Sequence, residues 1–302
     1  MLDFAKLLFL LMRPGSLILV VLMYSLGTGI ADFLGLPIDL PAYWLGLSSS
    51  VLLMLSSQLL DLFFRTYEPE TVKPIQETIK QKKPELSLID FRRLMLQAAI
   101  TTLTIVAVLT VLLIAQERVN PAALSILGIS FILTFFYAVP PITLSRKGLG
   151  EVIETILIAN LIPAFGLLLQ TSEIHRLLFM LTVPLTALML AMRLALALPD
   201  YGKDIAHGRM NMMTSMGWER GMWFHNFLII LAYAVLILAF IFGLPWRLVW
   251  PGLLTLPIGV YQIIQIRQIA SGIKPNWNVL NLTAIALLGL TAYLITLSLW
   301  IG

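Results

Sequence analysis

Asp200 and Asp204 stand four residues apart in Leu198-Pro199-Asp200-Tyr201-Gly202-Lys203-Asp204-Ile205-Ala206-His207-Gly208-Arg209, directly after an apolar run from Leu177 to Leu198. If a helix continues through this segment, the two carboxylates lie one above the other on the same face. Two hard anionic oxygens at the mouth of a membrane helix suit a magnesium ion that also holds a substrate phosphate. Acid pairs at this spacing also occur at ordinary solvated helix ends. The pair gains meaning from Asp61, which lies near the end of another apolar run, Tyr43 to Leu60. Ser57, Gln58, Asp61, Arg65 and Glu68 fall on one face at helical spacing, with Pro69 as the expected stop. A polar stripe in a membrane helix faces the bundle interior or a water-filled cavity. Asp61 and Arg65, one turn apart, can equally neutralise each other.

Arg193, Asp200, Asp204 and His207 form a second stripe, at steps of seven, four and three. An arginine two turns inside a membrane helix needs an anionic partner, and Asp200, Glu154 or a bound substrate anion could serve. His207 reads as a solvated loop residue. Between the stripes, Tyr137-Ala138-Val139-Pro140-Pro141 stops a helix, and a basic turn with Arg146 and Lys147 leads to Glu151 and Glu154. Glu151 suits the start of the next helix, where the dipole favours an anion; capping, ion pairing and catalysis all remain open for both glutamates.

These residues need helices to carry them. The chain has 302 residues, 59% hydrophobic and only 12% charged, about half the charge of a soluble domain. Nine apolar runs approach the length that spans a bilayer: Leu8–Ala31, Tyr43–Phe64, Leu94–Ala115, Ala122–Val139, Val152–Leu169, Leu177–Leu198, Trp223–Phe242, Val249–Ile266 and Leu280–Ile301. The runs are too long and unalternating for barrel strands, so an all-α, multi-pass integral membrane protein is expected. The first run carries Arg13-Pro14 and no small-residue cleavage pattern, unlike a signal peptide. Gly27 and Gly29 permit a close helix contact. Residues 68–90 read as a cytoplasmic loop containing Lys73, Lys80, Lys82 and Lys83, whose cluster suits anionic lipid, while Lys73 is nearer a phosphate site. Gln262 and Gln265 read as isolated polar residues in a scaffold of the last three helices.

With the N-terminus cytoplasmic, seventeen of the 20 lysines and arginines fall on the cytoplasmic side and only Arg118, Arg176 and Arg247 outside. The C-terminus is then outside, and a prokaryotic cell membrane is the expected location. The net charge of +4 reflects sidedness, and no nucleic-acid partner is expected. The absence of cysteine excludes disulfides and thiolate metal sites, and three scattered histidines do not suggest zinc or haem. Asp61 ends helix two and Asp200 helix six, so both face one side. This suggests two four-helix pseudo-repeats (about 5–145 and 150–270) plus a ninth helix (about 277–301) around a central cavity.

Over nearly its whole length the chain resembles the UbiA superfamily of intramembrane prenyltransferases. The likeness rests on Arg13-Pro14, on Tyr137 to Pro141 with Gly150-Glu151, on Asp200 to Gly217, on the weaker motif at Asp61, and on Lys73-Pro74. The Pro-Asp-Tyr variant is similar to the menaquinone-pathway branch, which prenylates dihydroxynaphthoate. The family's first motif is NxxxDxxxD; here its positions hold Ser57, Asp61 and Arg65, and Leu196 stands where an asparagine usually precedes the second motif.

The resemblance implies a prenyl diphosphate bound through Mg2+ on Asp61, Asp200 and Asp204, with catalysis by these carboxylates. It implies substrate contacts from Gln58, Arg65, Lys73, Tyr137, Arg146, Arg193 and Arg209, and shielding of an allylic cation by apolar helix faces. Lys147 is a further basic candidate beside Arg146, although positive-inside placement alone accounts for one of them. Replacing aspartate by arginine changes the local charge by as much as adding one divalent ion. Arg65 therefore either meets the diphosphate itself or merely pairs with Asp61; Glu68, one turn on, is an alternative source of the missing carboxylate. Prenyl transfer to an aromatic or quinone-precursor acceptor is the leading expectation. A terpene cyclase or diphosphate lyase, a non-catalytic lipid- or quinone-binding homologue, and a transporter are the alternatives. The acids sit at helix ends rather than at the midplane of a carrier.

Overall fold

The computed structural model describes residues 13–82 and 85–301. The start of the first apolar run, from Leu8 to Met12, and Lys6, Lys83 and Pro84 lie outside the described residues. Among the described residues nine helices are long and apolar enough to cross a membrane. They are Pro14–Phe33, Leu40–Arg65, Leu88–Ala115, Pro121–Ala138, Gly150–Leu168, Arg176–Ala206, Trp218–Ile241, Trp246–Ala270 and Trp277–Trp300, named below as spans one to nine.

Local chemistry sets their ends. Asp39, Ser87, Asn120 and Asn276 cap spans two, three, four and nine with side-chain oxygens that accept a backbone N–H of the first turn. The Ser87 cap starts span three at Leu88, ahead of the apolar run at Leu94. Span two ends at Arg65, four residues before Pro69. Proline offers no N–H to the Arg65 carbonyl, so the helix must stop there.

Pro69 then opens a new helix, Pro69–Lys82, in the stretch expected to be a loop. A polar segment folds as a helix here because two residues one turn apart, Ile75 and Ile79, bury against a cluster that includes Phe91 and Met95. Tertiary burial outweighs a composition that looks like a connector.

Span two packs on span three and span six on span seven, the corresponding pairs of the two halves. Spans one and five run against each other at the centre, and span nine closes against spans one and six. At the centre the backbones touch: a Cβ on Gly27 would lie 1.9 Å from the Pro163 carbonyl oxygen, so only glycine fits. Pro163 itself disturbs span five, which passes through a π-helical segment, Leu157–Leu161, just before it. That widening accommodates a ring that clashes with the carbonyl one turn back.

Span eight is two helices, Trp246–Leu253 and Leu256–Ala270, with the break just before Pro257. Thr255 sits at the break, its hydroxyl within hydrogen-bond distance of the Gly252 carbonyl, Tyr233 and Thr291. Gln262 and Gln265 are not isolated. Gln262 is fully buried, donates to the Leu280 carbonyl at 2.8 Å and to Thr283, and faces His225 at 3.2 Å. Gln265 accepts from Thr283 at 3.1 Å. In a medium without water these groups satisfy one another across spans seven, eight and nine, which no single-helix pattern displays.

Candidate functional site

At one end of the bundle a cleft is lined by Arg13, Met54, Gln58, Asp61, Leu62, Arg65, Tyr137 and Glu154, from spans one, two, four and five. It holds about 340 Å³ of space free of atoms, counting what opens to solvent. Gln58 ties span two to the entrance of span one: its amide donates to Ser16 Oγ at 2.7 Å, and its carbonyl oxygen accepts from Arg13 N at 3.3 Å. The Arg13 side chain thereby reaches the floor of the cleft.

There Glu154, 2% exposed, accepts from Arg13 Nη1 at 3.1 Å and from Arg193 Nη2 at 2.5 Å. The partner that Arg193 requires inside the membrane is thus Glu154, and Arg193 leaves the stripe it shares in sequence with Asp200 and Asp204. Two guanidiniums on one carboxylate leave this group net positive, and Arg193 Nε is buried with no partner. Tyr137, 6% exposed, closes the wall beside them.

Asp61 sits on the rim. Its Oδ1 accepts from Ser145 Oγ at 2.9 Å, and Arg65 Nη1 lies 3.9 Å from Oδ2, an ion-pair distance longer than a hydrogen bond. Arg65 also feels the like charges of Arg13 and Arg209. Ser145 belongs to the turn after span four, as does Arg146, which pairs with Glu68; Arg146 Nε and Nη2 are buried without a partner. Lys147 is exposed. This turn rests on the loop after span six. Lys147 forms a parallel bridge with Met210, and Met212 N donates to Glu151 Oε2 at 3.2 Å. Gly148, at φ +75°, lies so close to Ser215 that a Cβ there would be 2.2 Å from its Oγ.

Across that loop stand the other two acids. Pro199 cannot donate to the Ala195 carbonyl, so Leu198 N bonds it instead. The chain passes through a 3-10 turn, Leu198–Asp200, before the short helix Tyr201–Ala206. The uninterrupted helix expected through the pair is therefore re-wound at Asp200, and the two carboxylates meet different surroundings. Asp200 is 61% exposed with Lys203 Nζ at 3.3 Å, whereas Asp204 is 13% exposed. Asp204 accepts from Asn211 Nδ2 at 2.8 Å and has Arg209 Nη1 at 3.8 Å, and Arg209 Nε is buried without a partner. Lys73 is exposed on Pro69–Lys82 and does not line the cleft; His207 is exposed, its ring against the Lys203 carbonyl.

The sequence model of the UbiA prenyltransferase family matches residues 79–276, well over half of the chain. The chain belongs to that family. The fold agrees: a UbiA homologue from Archaeoglobus fulgidus described as bound to GPP and Mg2+ superposes with a TM-score of 0.62 at 18% identity, covering 94% of this chain and 98% of that one. The same homologue bound to DMAPP and Mg2+ gives 0.63 at 18% identity, over 94% and 97%. A digeranylgeranylglyceryl phosphate synthase gives 0.63 at 16% identity over 100% and 99%. No curated protein sequence matches the chain.

Placed in this UbiA frame, the four carboxylates Asp61, Glu68, Asp200 and Asp204 are not gathered into one cluster. Among the described residues no three of His, Cys, Asp and Glu lie together as a ready metal site. Glu68 is engaged by Arg146. Magnesium does not need a protein cage, since one or two carboxylates plus substrate phosphates commonly hold it. Asp200 and Asp204 fit that donor set, and Arg146 and Arg209 carry buried guanidinium N–H groups without a partner, donors of the type an anion accepts from. Two residues that hold the tips escape sequence reasoning: Ser145, within the turn read as basic, and Asn211, within the stretch Asp200 to Gly217 but given no role there. Asn211 carries a signal that could have revealed it, because it caps Met212–Met216 in a reciprocal box with Thr214.

Proposed function

We propose that this UbiA-family protein transfers a prenyl group from a prenyl diphosphate to an aromatic, quinone-precursor acceptor within the membrane. The observation that carries this reading is the junction of the two acidic tips. Asp61 is held by Ser145, the same turn is bridged through Lys147 to Met210, and Arg209 and Asn211 hold Asp204. Below the junction lies a cleft walled by Arg13, Arg65, Tyr137 and Glu154.

Arg65, Arg146 and Arg209 bind the diphosphate oxygens with forked, permanently charged donors, and Lys73, exposed on the surface helix, draws the anion toward the rim. Arg13 and Arg193 make the floor positive through their shared Glu154. Asp200 and Asp204 are the residues that would hold Mg2+, which when bound neutralises the leaving diphosphate, while Asp61 orders the opposite tip through Ser145 and Arg65. The magnesium and prenyl diphosphates of the Archaeoglobus fulgidus homologue support this substrate class. As the carbon–oxygen bond breaks, the electron pair leaves with the diphosphate. Met54, Leu62 and Tyr137 exclude water from the allylic carbon until an acceptor ring carbon attacks it and sheds its proton. Gln58 holds the entrance of span one and so the position of Arg13. The charge bias of the sequence supports a cytoplasmic site.

One observation favours a non-catalytic lipid- or quinone-binding protein instead: a cation, Arg65, pairs with the acid of the first tip. Incubation of the purified chain with labelled geranylgeranyl diphosphate, with and without dihydroxynaphthoate, decides. Product formed only with acceptor is expected. Product without acceptor means a cyclase or lyase, and none in either case means a binding role.

A further inference from the structure

Resting on the prenyl-diphosphate reading, we infer that the diphosphate is held with a single divalent ion, on the Asp200–Asp204 side, and that Arg65 occupies the place a second ion would take. A diphosphate released between two acidic tips can be neutralised by two metal ions, one on each tip. That needs carboxylates able to coordinate on both sides, and the two tips differ. The Asp200–Asp204 side has one acid 61% exposed and another only 13% exposed but a short step along the chain. The Asp61 side offers a single rim carboxylate, which already accepts from Ser145 and faces a guanidinium. Two further acids, Glu154 in the same cleft and Glu68 one turn beyond Arg65, are each bound to arginine.

The charge around Arg65 points the same way. Arg13 and Arg209 act on it with like charge, and Asp61 acts with opposite charge. Such a group of guanidiniums is electrostatically costly until a polyanion sits among them, and it repels a metal cation. Ser145 and Asp61 hold the first tip so that the Arg65 fork faces the cleft, where forked donors match phosphate oxygens two at a time. One guanidinium and one divalent ion together balance a trianionic diphosphate group. Asp61 is on this account a positioning residue for Arg65.

The test counts ligands on the full chain, using inorganic pyrophosphate as the probe and radiolabelled Mn2+ in place of Mg2+. Equilibrium dialysis of the detergent-purified protein is expected to give one Mn2+ per bound pyrophosphate; two overturns the inference. In a chelating buffer without free metal, Arg65→Gln is expected to weaken pyrophosphate binding by about tenfold or more while the Mn2+ count with metal stays at one. Unchanged metal-free affinity in Arg65→Gln overturns it as well. The wild-type count stands even if the variant does not fold. Absence of pyrophosphate binding at every Mn2+ concentration overturns the prenyl-diphosphate reading and this inference with it, an outcome distinct from binding with two ions.

Discussion

Glu154 and Asp200 belong to the same half of the chain, yet their surroundings are opposite. Glu154 is 2% exposed and bonded to two arginines, whereas Asp200 is 61% exposed and has one lysine at 3.3 Å. A carboxylate inside a bundle must be matched by cations on the spot, because no water replaces its hydration. Once matched it is a poor metal ligand, and its value lies in fixing the arginines that wall the cleft. A carboxylate at the membrane face keeps its water and can exchange it for a metal ion and a phosphate. The difference separates a carboxylate that serves architecture from one open to chemistry.

The comparison breaks if substitutions at the two places have the same effect. The largest change is expected on the open side: Asp200→Asn should lower prenyl transfer by about 10²–10³-fold with no shift of the thermal unfolding midpoint. A midpoint that falls in step with activity would make Asp200 structural. Glu154→Gln should act in the opposite sense. Removing the one anion between Arg13 and Arg193 should cost about 3 kcal/mol, the low end for breaking a buried pair because Arg13 is 54% exposed. Thermal unfolding in detergent reads that loss. The double variant Glu154→Leu with Arg193→Met should recover most of it.

Smaller effects sharpen the contrast. Gln262→Leu removes buried partners of His225 and Thr283 on spans that do not line the cleft. It should cost about 1–2 kcal/mol of stability while KM for the prenyl diphosphate stays the same; a changed KM would extend the site into spans seven to nine. Least of all, Glu68→Gln releases Arg146 from a part-exposed ion pair worth about 0.5 kcal/mol. It should leave stability unchanged and tighten pyrophosphate binding a few-fold by freeing the guanidinium. Weaker binding would return Glu68 to the metal ligands.

The spans were legible because twenty apolar residues in a row have few other fates, and helix is the only open form that satisfies its own backbone in lipid. The motif at Asp200–Asp204, the stripe of Gln58, Asp61 and Arg65, and the requirement of Arg193 for an anion were legible too, since each depends on neighbours in sequence or on burial cost. Pro69–Lys82 escaped because its helicity comes from Ile75 and Ile79 meeting residues of another helix. Gln262 escaped for a similar reason, its partners lying on spans seven and nine.

By itself the sequence determined a multi-pass α-helical protein with acids at two helix ends, because hydrophobic length and helical period are local properties. Only the tertiary structure decided which charges answer which. Glu154 answers Arg193 in place of Asp200, Arg146 answers Glu68, and Ser145 and Asn211 hold the two tips. Coulomb energy depends on distance in space, and the chain, however clear its periodicity, carries no record of which helix ends become neighbours.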